Sequence, residues 1–299
     1  MRTPISQLIA LLALVPLSGL PGPARPVQAQ VGALPQYSGD RGAGVPASMF
    51  GTYVSQGQLL VFPFLALTAD RNREYERAKL GAGPAGAFLG RYRNSAAQIF
   101  VAYGMTNWLA LDLEASYLSA TLDRSPDDPS GTTRRIAESG FTDVEAQLRM
   151  RLTREAGNRR EAGNRLEFYA FMEVLLPTQR STLILGDPDW DLKPGIGAVR
   201  AFSWGTLSVR TTVEWNRDDT HWDLGESSVE YLRRLSPAWR VYAGIEGGET
   251  GGPDEWELNL GVHWSVTRLL TVRVDNGVGI SAKANDWSPQ IGVLFTWPN

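Results

Sequence analysis

The 299-residue chain contains no cysteine. That excludes a disulfide framework, thiolate metal sites, thiol nucleophiles and a lipid anchor on an N-terminal cysteine. Histidine is nearly as scarce, with 2 residues, His221 and His263. No run approaches the ~18 consecutive apolar residues that a transmembrane helix needs. An excess of one charge is also missing. The 29 basic and 32 acidic residues leave a net charge of −3, and no basic patch is dense enough to hold nucleic acid. Nothing in the composition calls for a cofactor.

What is present begins with an export leader. Arg2 gives a positive start, Leu8 to Val15 form an apolar core too short to span a bilayer, and Val27-Gln28-Ala29 is a small-residue cleavage site. Residues 1–29 are therefore expected to be a signal peptide. Residues 30–56 are rich in Gly, Pro and Ser, and read as a periplasmic segment, mobile or folded into the mouth of the domain that follows.

From residue 57 to 299 the dominant pattern has a period of two. Val144, Ala146, Leu148, Met150 and Leu152 are apolar, while Asp143, Glu145, Gln147, Arg149 and Arg151 are polar or charged. A β-strand sends successive side chains to opposite faces, so this segment has one apolar and one wet face. Leu109, Leu111 and Leu113 oppose Ala110, Asp112 and Glu114 in the same way. Trp256, Leu258, Leu260, Val262 and Trp264 oppose Glu257, Asn259, Gly261, His263 and Ser265. Such runs occur at roughly 57–69, 95–105, 107–121, 139–152, 165–177, 189–203, 205–217, 226–235, 238–247, 254–266, 268–278 and 287–298. The phase is lost near 194–203, and Leu59 to Leu67 is apolar on both faces.

These features predict an all-β fold, an antiparallel up-and-down transmembrane β-barrel of about 12 strands with lipid outside and water inside. The 10 Trp, 9 Tyr and 10 Phe suit aromatic girdles, although they also suit a soluble all-β core. Connection lengths favour the barrel. Long connections at 70–94, 122–138, 178–188, 218–225, 248–253 and 279–286 alternate with mostly short ones, as extracellular loops alternate with periplasmic turns. Residues 154–159 repeat at 160–165, a tandem copy that a polar turn tolerates. The last strand ends in an aromatic, Trp297, and resembles the signal read by barrel-assembly machinery. Expected partners are thus outer-membrane lipid and lipopolysaccharide, that machinery during insertion, and a small-molecule solute.

The wet face carries the candidate functional residues. They are Asp112, Glu114, Asp143, Glu145, Arg149, Arg151, Arg210, Glu214, Glu257, Arg273 and Asp275, with Glu167, Glu173, Asp191, Lys193, Glu230, Arg240 and Glu246 beside them. Charges inside a barrel must be paired or hydrated. Either they line a narrow passage for small solutes, or they pair across the lumen and plug it. The excess of acids would favour cations.

Other constellations weigh less. His263 and Ser265 are two apart on one strand, as in barrels that hydrolyse outer-membrane lipid, but they fall on the lumen face near a short turn. Asp187, Asp189 and Asp191 alternate like oxygen ligands for Ca²⁺, yet the glycine and glutamate that such a loop needs are absent. His221 has no ligand spacing to His263. The Arg residues of 70–94 could fold inward as a constriction or bind lipopolysaccharide phosphates outside.

At Gly140-Phe141-Thr142-Asp143-Val144-Glu145-Ala146-Gln147-Leu148-Arg149 the chain resembles a family of Gram-negative outer-membrane barrels known as phenol-degradation meta-pathway proteins or transporters. Asp189-Trp190-Asp191-Leu192-Lys193-Pro194-Gly195-Ile196-Gly197 is similar to a later Pro-Gly strand of that family. The resemblance spans residues 57–299. It implies a channel for small, hydrophobic or aromatic solutes, and it transfers no catalytic residue.

Overall fold

The computed structural model describes residues 44–47, 52–76, 87–129, 133–153, 166–177, 184–185, 190–202, 204–216, 222–248 and 255–298. Two short strands, β1 (Val45–Pro46) and β2 (Tyr53–Val54), pair as a hairpin. The remaining twelve are β3 (Leu59–Glu76), β4 (Ala87–Gly104), β5 (Leu109–Asp123), β6 (Arg135–Arg151), β7 (Glu167–Leu176), β8 (Asp191–Phe202), β9 (Gly205–Asn216), β10 (Trp222–Arg234), β11 (Trp239–Gly247), β12 (Glu257–Ser265), β13 (Leu270–Gly279) and β14 (Ser288–Trp297). Each pairs antiparallel with its chain neighbour, and β14 closes on β3 with Trp297 opposite Leu59 and Gln290 opposite Ala66. Closure removes both sheet edges.

The alternation read from the sequence is the alternation of inside and outside. Leu113 is 41% exposed on the outer wall, whereas its neighbour Asp112 is 2% exposed within. Leu148, Met150 and Leu152 are exposed outside, while Gln147 and Arg149 are buried inside. All 10 tryptophans stand at one end of the barrel wall or the other. Trp108, Trp204, Trp239, Trp264 and Trp297 mark the end with the short turns, called here the turn end. Trp190, Trp215, Trp222, Trp256 and Trp287 mark the loop end. At about 3.3 Å per residue and a tilt near 40°, Trp256 and Trp264 lie about 20 Å apart in height. That matches an apolar belt bounded by two aromatic girdles.

Four strands differ from the expected bounds, and one of them, β10, starts at Trp222 rather than near 226. β3 runs on to Glu76, β4 starts at Ala87 and β6 starts at Arg135, so much of 70–94 and part of 122–138 is strand rather than loop. Above the lipid the outer face carries charge as well, as the exposed Arg71, Arg91, Arg93 and Arg135 show. The period-two signal vanishes there although the ladder continues, through a register shift between Asp70 and Arg73. At this rim Asp286 accepts from the backbone N–H and Nε of Arg71, each at 2.9 Å, and the side-chain bond holds its carboxyl below the usual range.

The two irregular runs have packing causes. On β3, Leu60, Phe62 and Phe64 point inward and are buried with Val45 and Val54 of the hairpin in one apolar cluster. The inner face is apolar because the chain's own N-terminal segment covers it. On β8 the phase persists, but its inward positions include Gly195 and Gly197, beneath the rings of Phe171 and Tyr169. A Cβ on Gly197 would lie 2.2 Å from Cζ of Tyr169.

Gly197→Val should therefore force Tyr169 from its place and cost about 1–3 kcal/mol, as overpacking does. The urea midpoint of the refolded barrel reads this. An unshifted midpoint would show that the ring is not fixed against the strand.

Candidate passage through the lumen

At the turn end the lumen is filled. Arg149, 1% exposed, donates from Nε to Oε1 of Gln147 at 2.9 Å and from Nη1 to the carbonyl of Pro46 at 3.1 Å. Its Nε lies 3.5 Å from Oδ2 of Asp112, and its guanidinium lies over the rings of Tyr169 and Phe171 at 5.3 and 5.2 Å. Across the barrel, Arg273 sits 4.7 Å from the Phe62 ring centroid and 3.4 Å from Oδ2 of Asp275. The other oxygen of Asp275 is 3.0 Å from Nε2 of His263, which stacks on Tyr242. Arg151 pairs with Glu167 at 2.9 Å. Buried charge is tolerated only when paired and hydrogen-bonded, and these arginines meet that condition.

From mid-barrel up to the loop-end girdle the lumen is different. Glu114 stands opposite Glu145 on adjacent strands and accepts from Gln98 at 3.3 Å. Glu173 accepts from Gln147 at 2.6 Å. Lys193 is 3.6 Å from Glu214. Arg210 bonds Ser228 at 3.0 Å, contacts Glu226 and lies 3.9 Å from Glu246. Glu246 accepts from Asn259 at 2.7 Å, and Glu257 accepts from Asn285 and Ser288 at 2.8 and 2.7 Å. Glu230 is inward on β10, opposite Ser208 and Gly244. In this belt Lys193 and Arg210 are far outnumbered by Glu114, Glu145, Glu173, Glu214, Glu226, Glu230, Glu246 and Glu257. A small recess borders Phe100, Asp112, Glu114, Glu145, Gln147 and Glu173.

At the loop end Leu185 packs against Ala96, Leu118 and Ala120 of the inner wall, and the Ile184 N–H donates to Glu138 at 2.9 Å. Part of the β7–β8 connection thus folds into the barrel. Tyr75 donates to Asp128 at 2.9 Å, and Arg124 bonds the same carboxylate at 3.0 Å, which fastens the β5–β6 connection.

The structure brings the sequence-predicted residues together in two groups. Asp112, Arg149, Arg151, Arg273 and Asp275 belong to the filled turn end. Glu114, Glu145, Arg210, Glu214 and Glu257 belong to the acidic belt. Asp143 sits beside Thr142 at a register shift of β6. Ser265 is held by Arg240 at 2.9 Å and Thr271 at 3.2 Å, and His263 is bonded to Asp275 deep in the lumen. Asp191 is buried in β8. Asp187, Asp189, His221 and the 154–165 duplication lie outside the described residues, as do residues 1–43. Among the described residues no group of three His, Asp or Glu side chains is placed to hold a metal. Sequence reasoning missed the inward aromatics Phe62, Phe64, Phe100, Tyr169 and Phe171. The apolar inner face of Leu59–Leu67 was their available signal.

No family model matches the sequence. No curated protein matches it either. Among solved structures, the COG4313 outer membrane channel from Pseudomonas putida F1 aligns over 84% of this chain and 99% of its own, at 12% identity and a TM-score of 0.59. The KdgM porin, solved with disordered oligogalacturonate, aligns over 80% of this chain and 99% of its own, at 7% identity and a TM-score of 0.48. The toluene transporter TodX of P. putida aligns over 87% and 99%, at 8% identity and a TM-score of 0.41. The likeness to the first is one of fold, the closed antiparallel β-barrel.

Arg149→Ala should leave the Asp112 carboxylate buried without its cation and cost about 3–5 kcal/mol. The double variant with Asp112→Ala should cost less than the sum of the two, with a coupling of about 1–3 kcal/mol in urea titrations. Additive costs would mean that the two side chains do not act as a pair.

Proposed function

We propose that this barrel lies in a Gram-negative outer membrane and passes small solutes through its charged lumen, with cations favoured. The observation that carries this reading is the acidic belt. Carboxylates that outnumber their cations in an apolar shell must be hydrated or neutralised. A belt of this composition therefore supports a watered passage rather than a dry structural core. Glu114, Glu145, Glu173, Glu214, Glu246 and Glu257 would set the selectivity. Residues 1–29 would be removed during export, and the outward face of β14 would be presented to the assembly machinery. Arg91 and Arg93, exposed toward the loop end of β4, suit lipopolysaccharide phosphates.

A finer reading, in which the solute is hydrophobic or aromatic, is supported by the resemblance at Gly140–Arg149 and by the rings of Phe62, Phe100 and Phe171 inside the wall. A second reading, a plugged structural or adhesive barrel, is favoured by the Arg149–Asp112 and Arg273–Asp275 pairs at the turn end. Lipid hydrolysis by His263 and Ser265 is not supported. His263 is 5% exposed inside the barrel and does not face lipid.

Planar-bilayer recordings in a salt gradient test the passage. The protein should give cation-selective currents, and Glu114→Gln with Glu145→Gln and Glu173→Gln should lower the cation preference several-fold. A current indifferent to the three substitutions, or no current at all, would overturn the reading.

A further inference from the structure

We propose that Arg200 and Arg233 seat the phosphate of an anionic phospholipid against the outer wall at the turn end. This rests on reading the wall as lipid-facing, and on nothing about what passes through the lumen. Arg200 lies between Val199 and Ala201, both buried inside, so its side chain points outward on β8. Arg233 follows the buried Leu232 and pairs with Val241, which turns it outward on β10. On the turn-end half of the wall, every other outward position of the described strands is uncharged.

A charge that faces lipid is penalised at mid-bilayer and tolerated near the interfaces. Both arginines stand at the tolerated depth. Arg200 is two residues from the end of β8 at Phe202, and Arg233 is one residue from the end of β10 at Arg234. Trp204 follows β8 and Trp239 opens β11, both in the turn-end girdle. Girdle tryptophans sit at the level of the lipid headgroups.

The two side chains are held in place. The rings of Phe202, Trp204 and Tyr231 form one stack, with successive centroids 4.7 and 5.5 Å apart. The Arg200 guanidinium lies over the Phe202 ring, 4.9 Å from its centroid. Arg233 donates from Nη1 to the Trp204 carbonyl, and the Tyr231 hydroxyl donates to the same oxygen. Gly205, at φ +149°, makes room for this stack, because a Cβ there would lie 2.4 Å from Cε2 of Tyr231. Both arginines are thus tied to one rigid aromatic surface. Toward mid-bilayer, Ala198, Val209 and Val229 stand in register across β8, β9 and β10. That apolar row gives an acyl chain its bed while the phosphate rests at the arginines.

Charge sets which headgroup fits. A guanidinium is a fork of N–H donors matched to phosphate. No carboxylate stands among the described outward strand positions of this half to receive an ammonium group. The patch therefore favours a headgroup of net negative charge over one that carries choline or ethanolamine.

Native mass spectrometry tests the seat, with the refolded full chain released from detergent that carries equal phosphatidylglycerol and phosphatidylcholine of matched acyl chains. The wild-type protein should retain phosphatidylglycerol several-fold over phosphatidylcholine. Arg200→Gln with Arg233→Gln should reduce that preference several-fold, while Arg268→Gln, in an exposed turn at the same end, should leave it. Equal retention of the two lipids by the wild-type protein would overturn the proposal. So would a preference undiminished by the double variant, or one diminished as much by Arg268→Gln. In each case the passage would stand, since bilayer currents read it separately. A barrel that retains neither lipid would overturn the seat together with the lipid-facing wall.

Discussion

Backbone N–H and C=O groups that face hydrocarbon have no water to bind, so each must be satisfied within the protein. This chain meets that constraint by closing β14 onto β3, which leaves no unpaired edge in the ladder. Closure fixes everything else. Once the wall is a cylinder, alternate residues must meet lipid and lumen, and one misplaced charge on the outer face would be penalised by its depth in the bilayer. The ring of Trp108, Trp204, Trp239, Trp264 and Trp297 at one end, with its counterpart at the other, sets the height of that cylinder in the membrane.

Inside the cylinder the same constraint has two solutions at two depths. Toward the turn end the lumen is packed dry. Rings lie flat over inward glycines, as Tyr169 does over Gly197, and the guanidinium groups of Arg149 and Arg273 are each matched to a carboxylate and an aromatic face. In the middle, glutamates face one another, as Glu114 and Glu145 do, and side-chain amides such as Gln98 and Gln147 provide much of their bonding. Dry packing needs neutral pairs, and unpaired acid needs water. The boundary between these regions runs close to Asp112 and Gln147, which touch both.

The wall was legible in the sequence because lipid imposes a strict period of two. The strands at 205–217, 238–247 and 268–278 fall within three residues of their observed bounds for that reason. Where lipid ends the signal ends too. The upper parts of β3, β4 and β6 were therefore read as loop, since Asp70-Arg71-Asn72-Arg73-Glu74 offers no apolar face and Arg91, Arg93 and Arg135 put charge at outward positions. The lumen was legible only as a list of charges. Which charges pair is set by register across strands and by the hairpin, and neither leaves a mark in composition. Leu60, Phe62 and Phe64 did betray the hairpin, because an apolar inner face has meaning only if something apolar covers it. Gly195 and Gly197 hid the phase of β8, because glycine shows no preference for either face.

The central claim is that the polar face of the wall is wet through mid-barrel. Nitroxide labels placed singly at Leu113, Glu114, Ala115 and Ser116 of this cysteine-free chain, refolded into bilayers, test it most directly. Collisions with a water-soluble paramagnetic reagent should peak at positions 114 and 116, and collisions with lipid-dissolved oxygen at 113 and 115. If positions 114 and 116 were shielded from the water-soluble reagent as fully as their neighbours, the lumen would be dry and the passage refuted.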